Sequence, residues 1–194
     1  MTKGRLEAFS DGVIAIIITI LVLEFKIPHG ADWAALKPLV PILFSHVLSF
    51  VFIGIYWSNH HHLLQTVKHA NGAILWANLH LLFWLSLIPF TTAWMGENHF
   101  SNLPVALYGV VLLFTGVAYF MLTQVLIARH GKGSLLAIAV GDELKGKISV
   151  ILYTIAIVFS FIYSIVSYVI YIGVAILWLV PDRRIEKTLE THSS

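Results

Sequence analysis

Apolar positions run along this chain in long uncharged blocks, separated by a few charges and chain breakers. The first block covers Leu6–Ile27 and stops at Pro28-His29-Gly30. The second, Leu39–Leu64, holds no Lys, Arg, Asp or Glu; the third covers Gly72–Met95 and the fourth Leu103–Ile127. A polar connection, Arg129–Lys147, carries Gly131, Gly133, Gly141 and Gly146, and leads into an uncharged stretch of 34 residues, Ile148–Pro181. A membrane-spanning helix needs ~20 apolar residues, so each of the first four blocks reads as one span. As a single helix the last stretch would be about 51 Å long, against a hydrocarbon core of about 30 Å. Two spans, Ile148–Ile162 and Ser164–Pro181, joined by a turn near Phe161–Ser164, fit better, although no Gly or Pro marks that turn.

Composition agrees with this pattern. The chain has 194 residues, 58% of them hydrophobic and 11% charged, and its mean hydropathy is +0.86. Soluble domains carry about a quarter charged residues. This excludes a soluble enzyme, a nucleic-acid-binding domain and a disordered regulator. Twelve basic against ten acidic residues, a net charge of +2, give no polyanion-binding character. The absence of cysteine excludes disulfides, thiolate metal sites and a cysteine nucleophile. Lys3 and Arg5 precede the first apolar run as in a secretory leader. Glu7 and Asp11 interrupt that run and no small-residue cleavage site follows, so it reads as a retained helix.

The sparse charges also predict orientation. With the N-terminus in the cytoplasm, Lys3, Arg5, Lys68, Arg129, Lys132, Lys145, Lys147, Arg183, Arg184 and Lys187 all fall inside, and only Lys26 and Lys37 outside. Cytoplasmic loops are enriched in Lys and Arg in this way. An odd number of spans would put the basic C-terminal tail outside. The expectation is therefore an all-α integral membrane protein with six transmembrane helices and both termini cytoplasmic. It forms a single domain over residues 1–181, followed by a tail over 182–194.

The first helix departs from the others because it carries Glu7, Asp11 and Glu24. Glu7 and Glu24 fit the head-group level of a tilted helix. Asp11 lies five residues beyond Leu6, roughly 8 Å inside, where acidic groups face a protein interior or a water-filled cavity. Partners are available at the same depth. The second helix reaches the inner side with Trp57, Ser58, Asn59, His60, His61 and His62, and the third leaves it with Trp76, Asn78 and His80. A hydrogen-bonded cluster joining the first three helices follows. It acts either as polar glue between helices or as a proton-sensing or gating group. A metal site is not expected: three consecutive helical histidines point about 100° apart, and no H-E-x-x-H or second histidine box occurs. No G-x-S-x-G elbow and no Gly-rich phosphate loop are present.

Val13, Ile16, Ile20, Leu23 and Ile27 recur at spacings of three and four, forming one aliphatic stripe with Thr19 beside it. Such a stripe serves lipid or core packing. If copies of this helix surround an axis, it becomes instead a hydrophobic neck with acidic mouths, able to gate by dewetting.

The run Arg5-Leu6-Glu7-Ala8-Phe9-Ser10-Asp11, continued by Gly12-Val13-Ile14-Ala15-Ile16-Ile17-Ile18-Thr19-Ile20 and Leu23-Glu24, resembles the R-x-x-x-F-S-D signature of the transmembrane protein 175 family. These are potassium channels of bacteria and of endosomes and lysosomes. Trp57-Ser58-Asn59-His60-His61 and Trp76-Ala77-Asn78-Leu79-His80 are similar to the family's second and third helices. The resemblance implies a homotetramer of six-helix units with the first helices lining the pore. It implies that Ile16 forms the narrowest point, with Ile20 and Leu23 as the next constrictions and Thr19 one turn on. It further implies that Arg5, Ser10 and Asp11 of the motif, which also includes Phe9, brace the first helix through a network with Trp57, His60, Asn78 and His80.

No T-V-G-Y-G filter segment and no Arg-rich voltage sensor occur in the chain. The expected function is a potassium-selective cation channel whose selectivity arises at the apolar neck. Its partners are further copies of itself, the lipid bilayer and permeant potassium ions. It needs no cofactor or metal and resides as a multi-pass protein in the bacterial plasma membrane. The alternative is a proton- or cation-coupled secondary transporter using the Asp11–His cluster. That reading wants matched broken helices in inverted repeats, and Pro41 and Pro89 do not pair in that way.

Overall fold

The computed structural model describes residues 2–65, 67, 71–130 and 144–179, and all regular structure among them is helical. The helices are α1 (Lys3–Leu23), the short α2 (Trp33–Leu36), α3 (Val40–Gln65), α4 (Gly72–Ser86), α5 (Ile88–Glu97), α6 (Asn102–His130) and α7 (Leu144–Leu179). A 3₁₀ turn, Lys37–Leu39, leads into α3. Counting α4 with α5 as one, five stretches among the described residues are long and apolar enough to cross a membrane. Lys68, Lys132, Arg183, Arg184, Lys187, the glycines at 131, 133 and 141, and the expected tail over 182–194 lie outside the described residues.

Local chemistry sets the helix ends. Asn71 caps α4 by accepting from the Ile74 amide at 3.0 Å, and Asp32 caps α2 by accepting from Ala35 at 2.9 Å; each satisfies an amide the first turn leaves unpaired. Prolines 41 and 104 sit in the first turns of α3 and α6, where a missing N–H costs nothing. α1 ends at Leu23, four residues short of the expected Ile27, and Pro28 disfavours helical backbone at Ile27 itself. Ile27 therefore drops out of the helical stripe and is 87% exposed.

Two breaks shape the bundle. The third expected span is not one straight helix: α4 and α5 separate at Leu87, two residues before Pro89. Proline has no N–H to donate and its ring crowds the carbonyl four residues back, so the ladder is interrupted there. Thr91 and Thr92 return hydroxyl bonds to the Ile88 carbonyl at 3.1 and 2.6 Å.

The second break is at Tyr163, whose φ of −142° and ψ of 87° leave helical geometry inside α7. Trp178 donates to the Ser149 hydroxyl at 2.8 Å and Ser167 to the Ala156 carbonyl at 2.6 Å. Both pairs close across residue 163, so the two limbs of α7 lie antiparallel. No glycine or proline is needed for the turn.

The core runs through all the long helices, and one part of it lies between α3, α6 and α7. Tyr108 and Tyr171 are fully buried there, and Tyr171 donates to the Val105 carbonyl at 3.1 Å. Gly109 admits this contact: a side chain on it would overlap the Tyr171 hydroxyl and approach Ile157. Apolar helices in lipid gain little from burying apolar area against one another, and such close approaches and hydrogen bonds hold them together. Between α5 and α6 the chain turns through a cap in which the amide of Phe100 bonds the Met95 carbonyl and that of His99 the Gly96 carbonyl. His99 and Phe100 have φ of 51° and 58°, the left-handed region usually left to glycine.

Candidate pore helix and its bracing network

α1 presents two separate faces. Leu6, Ser10, Ile14, Ile17 and Leu21 are buried at spacings of three and four, and this face docks on α3, α4 and α5. Roughly a third of a turn away, Arg5, Phe9, Ile16, Ile20 and Leu23 form an exposed line. Ile16 is 59% and Leu23 76% exposed, whereas Ile14 and Ile17 are 1% and 4% exposed. Val13, the first residue of the expected aliphatic stripe, is half-buried beside this line. Thr19 is exposed and donates its hydroxyl proton to the Ile16 carbonyl at 2.9 Å, leaving its oxygen lone pairs unspent.

The buried face is pinned by polar bonds. Ser10 donates to the Leu6 carbonyl at 2.9 Å, and Asn78 Nδ2 donates to the Ser10 hydroxyl at 2.9 Å. The Asn78 carbonyl oxygen therefore faces His60, 2.7 Å from Nε2. Since a carbonyl only accepts, Nε2 carries the hydrogen. The bonds thus run one way, from His60 on α3 through Asn78 on α4 to Ser10 and the backbone of α1. His60, Asn78 and Ser10 are all buried, and His60 Nδ1 has no hydrogen-bond partner. Beside this chain, Trp57 donates its indole N–H to Asp11 at 3.1 Å, one turn of α3 before His60. All three pairs among α1, α3 and α4 are bonded.

Other expected members lie elsewhere. His80 does not join the network: its Nε2 accepts from Trp84 Nε1 one turn on in α4, at 3.0 Å. Of the three adjacent histidines, His60 enters the network; His61 instead pairs with Gln65 at 3.0 Å. Arg5 and Phe9 face outward on the exposed line, on the opposite flank from these bonds. Among the described residues, no three His, Asp or Glu side chains are arranged to hold a metal ion.

Three contacts at the helix ends were not foreseen. Lys3 donates to the Gln65 carbonyl at 2.9 Å, tying the start of α1 to the end of α3. His46 Nδ1 donates to the Leu21 carbonyl at 3.3 Å near the other end of α1, and its ring meets Phe25 edge-on at 4.9 Å. His46, set apart from the His60–His62 run in the uncharged stretch of α3, was the available signal. Lys26 and Glu97 pair at 2.6 Å, and this bond and charge hold the Lys26 ammonium above its usual lysine range.

An apolar groove of about 430 Å³ runs between α1 and the α4–α5 break, lined by Val13, Ile16, Ile17, Ile20, Ser86, Pro89, Phe90 and Ala93, with Glu24 at one end.

Known proteins resemble this chain in sequence and fold. The family model for the endosomal/lysosomal potassium channel TMEM175 matches residues 5–89, from Arg5 to the Pro89 break. A potassium channel of Chryseobacterium sp. (strain P1-3) is 54% identical over 192 residues, covering 99% of this chain and 100% of that one. The crystal structure of a lysosomal potassium-selective channel TMEM175 homolog from Chamaesiphon minutus superposes with a TM-score of 0.80 at 28% identity, covering 93% of this chain and 97% of that one. The chicken endosomal/lysosomal proton channel TMEM175 is 29% identical over 136 residues, 62% of this chain but 27% of that one.

Fold and relatives together define a multi-pass membrane protein of the cation-channel class. Its family is one of channels and not of enzymes. The chain belongs to the TMEM175 family.

Proposed function

We propose that four copies of this chain surround a common axis with their α1 helices innermost, forming a potassium-selective channel in the bacterial plasma membrane. Each copy spans the bilayer six times, with α7 contributing two spans and both termini in the cytoplasm. The observation that carries this reading is the division of α1 into a pinned face and an exposed apolar line. Ser10, Asn78 and His60 hold one side of the helix, and Ile16, Ile20 and Leu23 are left facing outward.

Around an axis, this line becomes an apolar neck that an ion crosses only by shedding part of its water. Sodium holds its water more tightly than potassium and is disfavoured there. Thr19 places a hydroxyl oxygen, free to accept, one turn beyond Ile16. Glu7 and Glu24 near the two ends concentrate cations at the mouths. No cofactor takes part. The potassium channels of Chryseobacterium and Chamaesiphon, similar along most of the chain, support the choice of ion.

Ion-replacement recording from the purified protein in planar bilayers tests the reading. Current should flow down a potassium gradient without a coupled substrate, and Ile16→Asn should bring the potassium and sodium reversal potentials together. Unchanged selectivity in that variant rejects Ile16 as the constriction. Transport only with a coupled substrate favours the transporter reading.

A further inference from the structure

We infer that Tyr108, Ser49 and Thr92, three buried hydroxyls off the exposed line of α1, are positioning residues for the neck. They fix the bend at Pro89 and, through α5, the place where α1 stands. The inference rests on the channel reading proposed above and names what holds its constriction in place.

The three hydroxyls come from three helices. Tyr108 on α6 lies 2.9 Å from Ser49 on α3, and Ser49 lies 2.6 Å from Thr92 on α5. All three are buried, Tyr108 and Ser49 completely. Their bonds have one sense. The Thr92 hydroxyl gives its single proton to the Ile88 carbonyl at 2.6 Å, so it accepts from Ser49. Ser49, its own proton spent, accepts from Tyr108. The chain of bonds thus starts on α6, crosses α3 and ends on the backbone carbonyl of Ile88, immediately before Pro89.

That end point is where the third span is weakest. Pro89 gives no N–H to the helical ladder, and a hydroxyl returned to the carbonyl four residues back bends a helix further. Thr92 makes this bond, and Thr91 adds bonds to the Leu87 and Ile88 carbonyls at 3.2 and 3.1 Å. A proline break alone leaves the bend loosely set. A threonine hydroxyl held by partners on α3 and α6 selects one bend. No water reaches such groups in a lipid-embedded bundle, so each broken bond leaves a polar group unsatisfied.

The bend meets the pore helix directly. Pro89, Phe90 and Ala93 stand across the groove from Ile16, Ile17 and Ile20. Ile17 is buried on the face that docks on α5, and Ile16 is its neighbour on the exposed line. Thr92 adjoins Ala93, so a change of bend moves the wall opposite Ile17 and carries Ile16 with it. The three hydroxyls act on permeation through the positions of α5 and α1, without touching the ion.

Bi-ionic reversal potentials of the full-length protein in planar bilayers test this. Thr92→Val keeps the side-chain shape and removes the hydroxyl that joins Ser49 to Ile88. Tyr108→Phe keeps the ring and removes the first proton of the chain, and Thr92→Ser retains every bond. With the neck residues untouched, Thr92→Val and Tyr108→Phe should each shift the potassium-to-sodium permeability ratio by about threefold or more. Thr92→Ser should keep the wild-type ratio. Tyr108→Phe decides the matter if Thr92→Val fails to fold.

A lower melting temperature with an unmoved ratio would assign these hydroxyls to stability alone and overturn the inference. So would a shift in Thr92→Ser as large as in Thr92→Val. A wild-type protein without selectivity defeats the channel reading itself, whereas a selective wild type with unmoved variants defeats only the role given to the hydroxyls.

Discussion

Asn78 stands 2.9 Å from Ser10 and gives it a hydrogen bond in the buried seam where α4 meets α1. The same amide receives the bond from His60. Replacing Asn78 with Leu leaves the buried His60 Nε2 without its partner and Ser10 with only its bond to the Leu6 carbonyl. A buried polar group so orphaned costs about 1–3 kcal/mol. The variant should unfold at a clearly lower temperature in detergent, while Asn78→Asp should keep the His60 bond and lose the Ser10 one. Equal melting of wild type and Asn78→Leu would show that the seam contributes nothing to stability.

Gly109 and Gly116 lie two turns apart on α6 and should respond differently to alanine. A side chain on Gly109 would enter the space of the Tyr171 phenol, whereas at Gly116 the nearest atom is the Tyr56 hydroxyl at an ordinary 3.6 Å. Gly109→Ala should cost about 1–3 kcal/mol through overpacking. Gly116→Ala should be neutral or slightly stabilising, since alanine is the better helix former. Thermal melts of the two variants side by side check this contrast.

Thr19→Val keeps the shape of the side chain and removes its oxygen. On the proposed pore reading, the ion loses an acceptor within the neck, so the potassium-to-sodium permeability ratio should fall while stability is unchanged within about 0.5 kcal/mol. Bi-ionic reversal potentials measure the first effect and melting the second. A full ratio in Thr19→Val would assign discrimination to the isoleucines alone.

The Lys26–Glu97 pair should be sensitive to pH in one direction on the lysine side. The pair raises the Lys26 value above 10.5, so its contribution is fully present below that pH and is lost as pH rises through the higher folded value. Both side chains are exposed, and exposed pairs are weak and screened by salt. The melting difference between wild type and Glu97→Gln should therefore be small at pH 8, smaller in high salt and absent well above pH 10.5. A difference that persists at high pH would place its origin outside the ion pair.

Hydropathy made the helical stretches legible because each block must meet the thickness of the bilayer. The length of Ile148–Pro181 likewise called for a bend, and the helical dihedrals fail at Tyr163. Depth counting placed Asp11, Trp57, His60 and Asn78 at one level, since rise per residue converts position into depth. It carries no rotational information about the partner helix. His80 therefore read as a further member, although its ring turns along α4 to Trp84. Ile27 read as part of the stripe because apolar periodicity continues past Leu23, where the helix ends. The Pro89 break was visible only as a proline. Lys26 and Glu97 stand 71 positions apart, and nothing local in either segment announces the other.

The one-way bonding from His60 to Ser10 sets the phase of α1 about its own axis. Rolling α1 by one residue, about 100°, would carry Ser10 away from Asn78 and turn Ile17 toward the place Ile16 now occupies. Both are isoleucines, so apolar packing alone would hardly register the exchange. An oxygen six residues earlier distinguishes them. The choice of which isoleucine faces outward is thus made about 9 Å along the helix from where it takes effect.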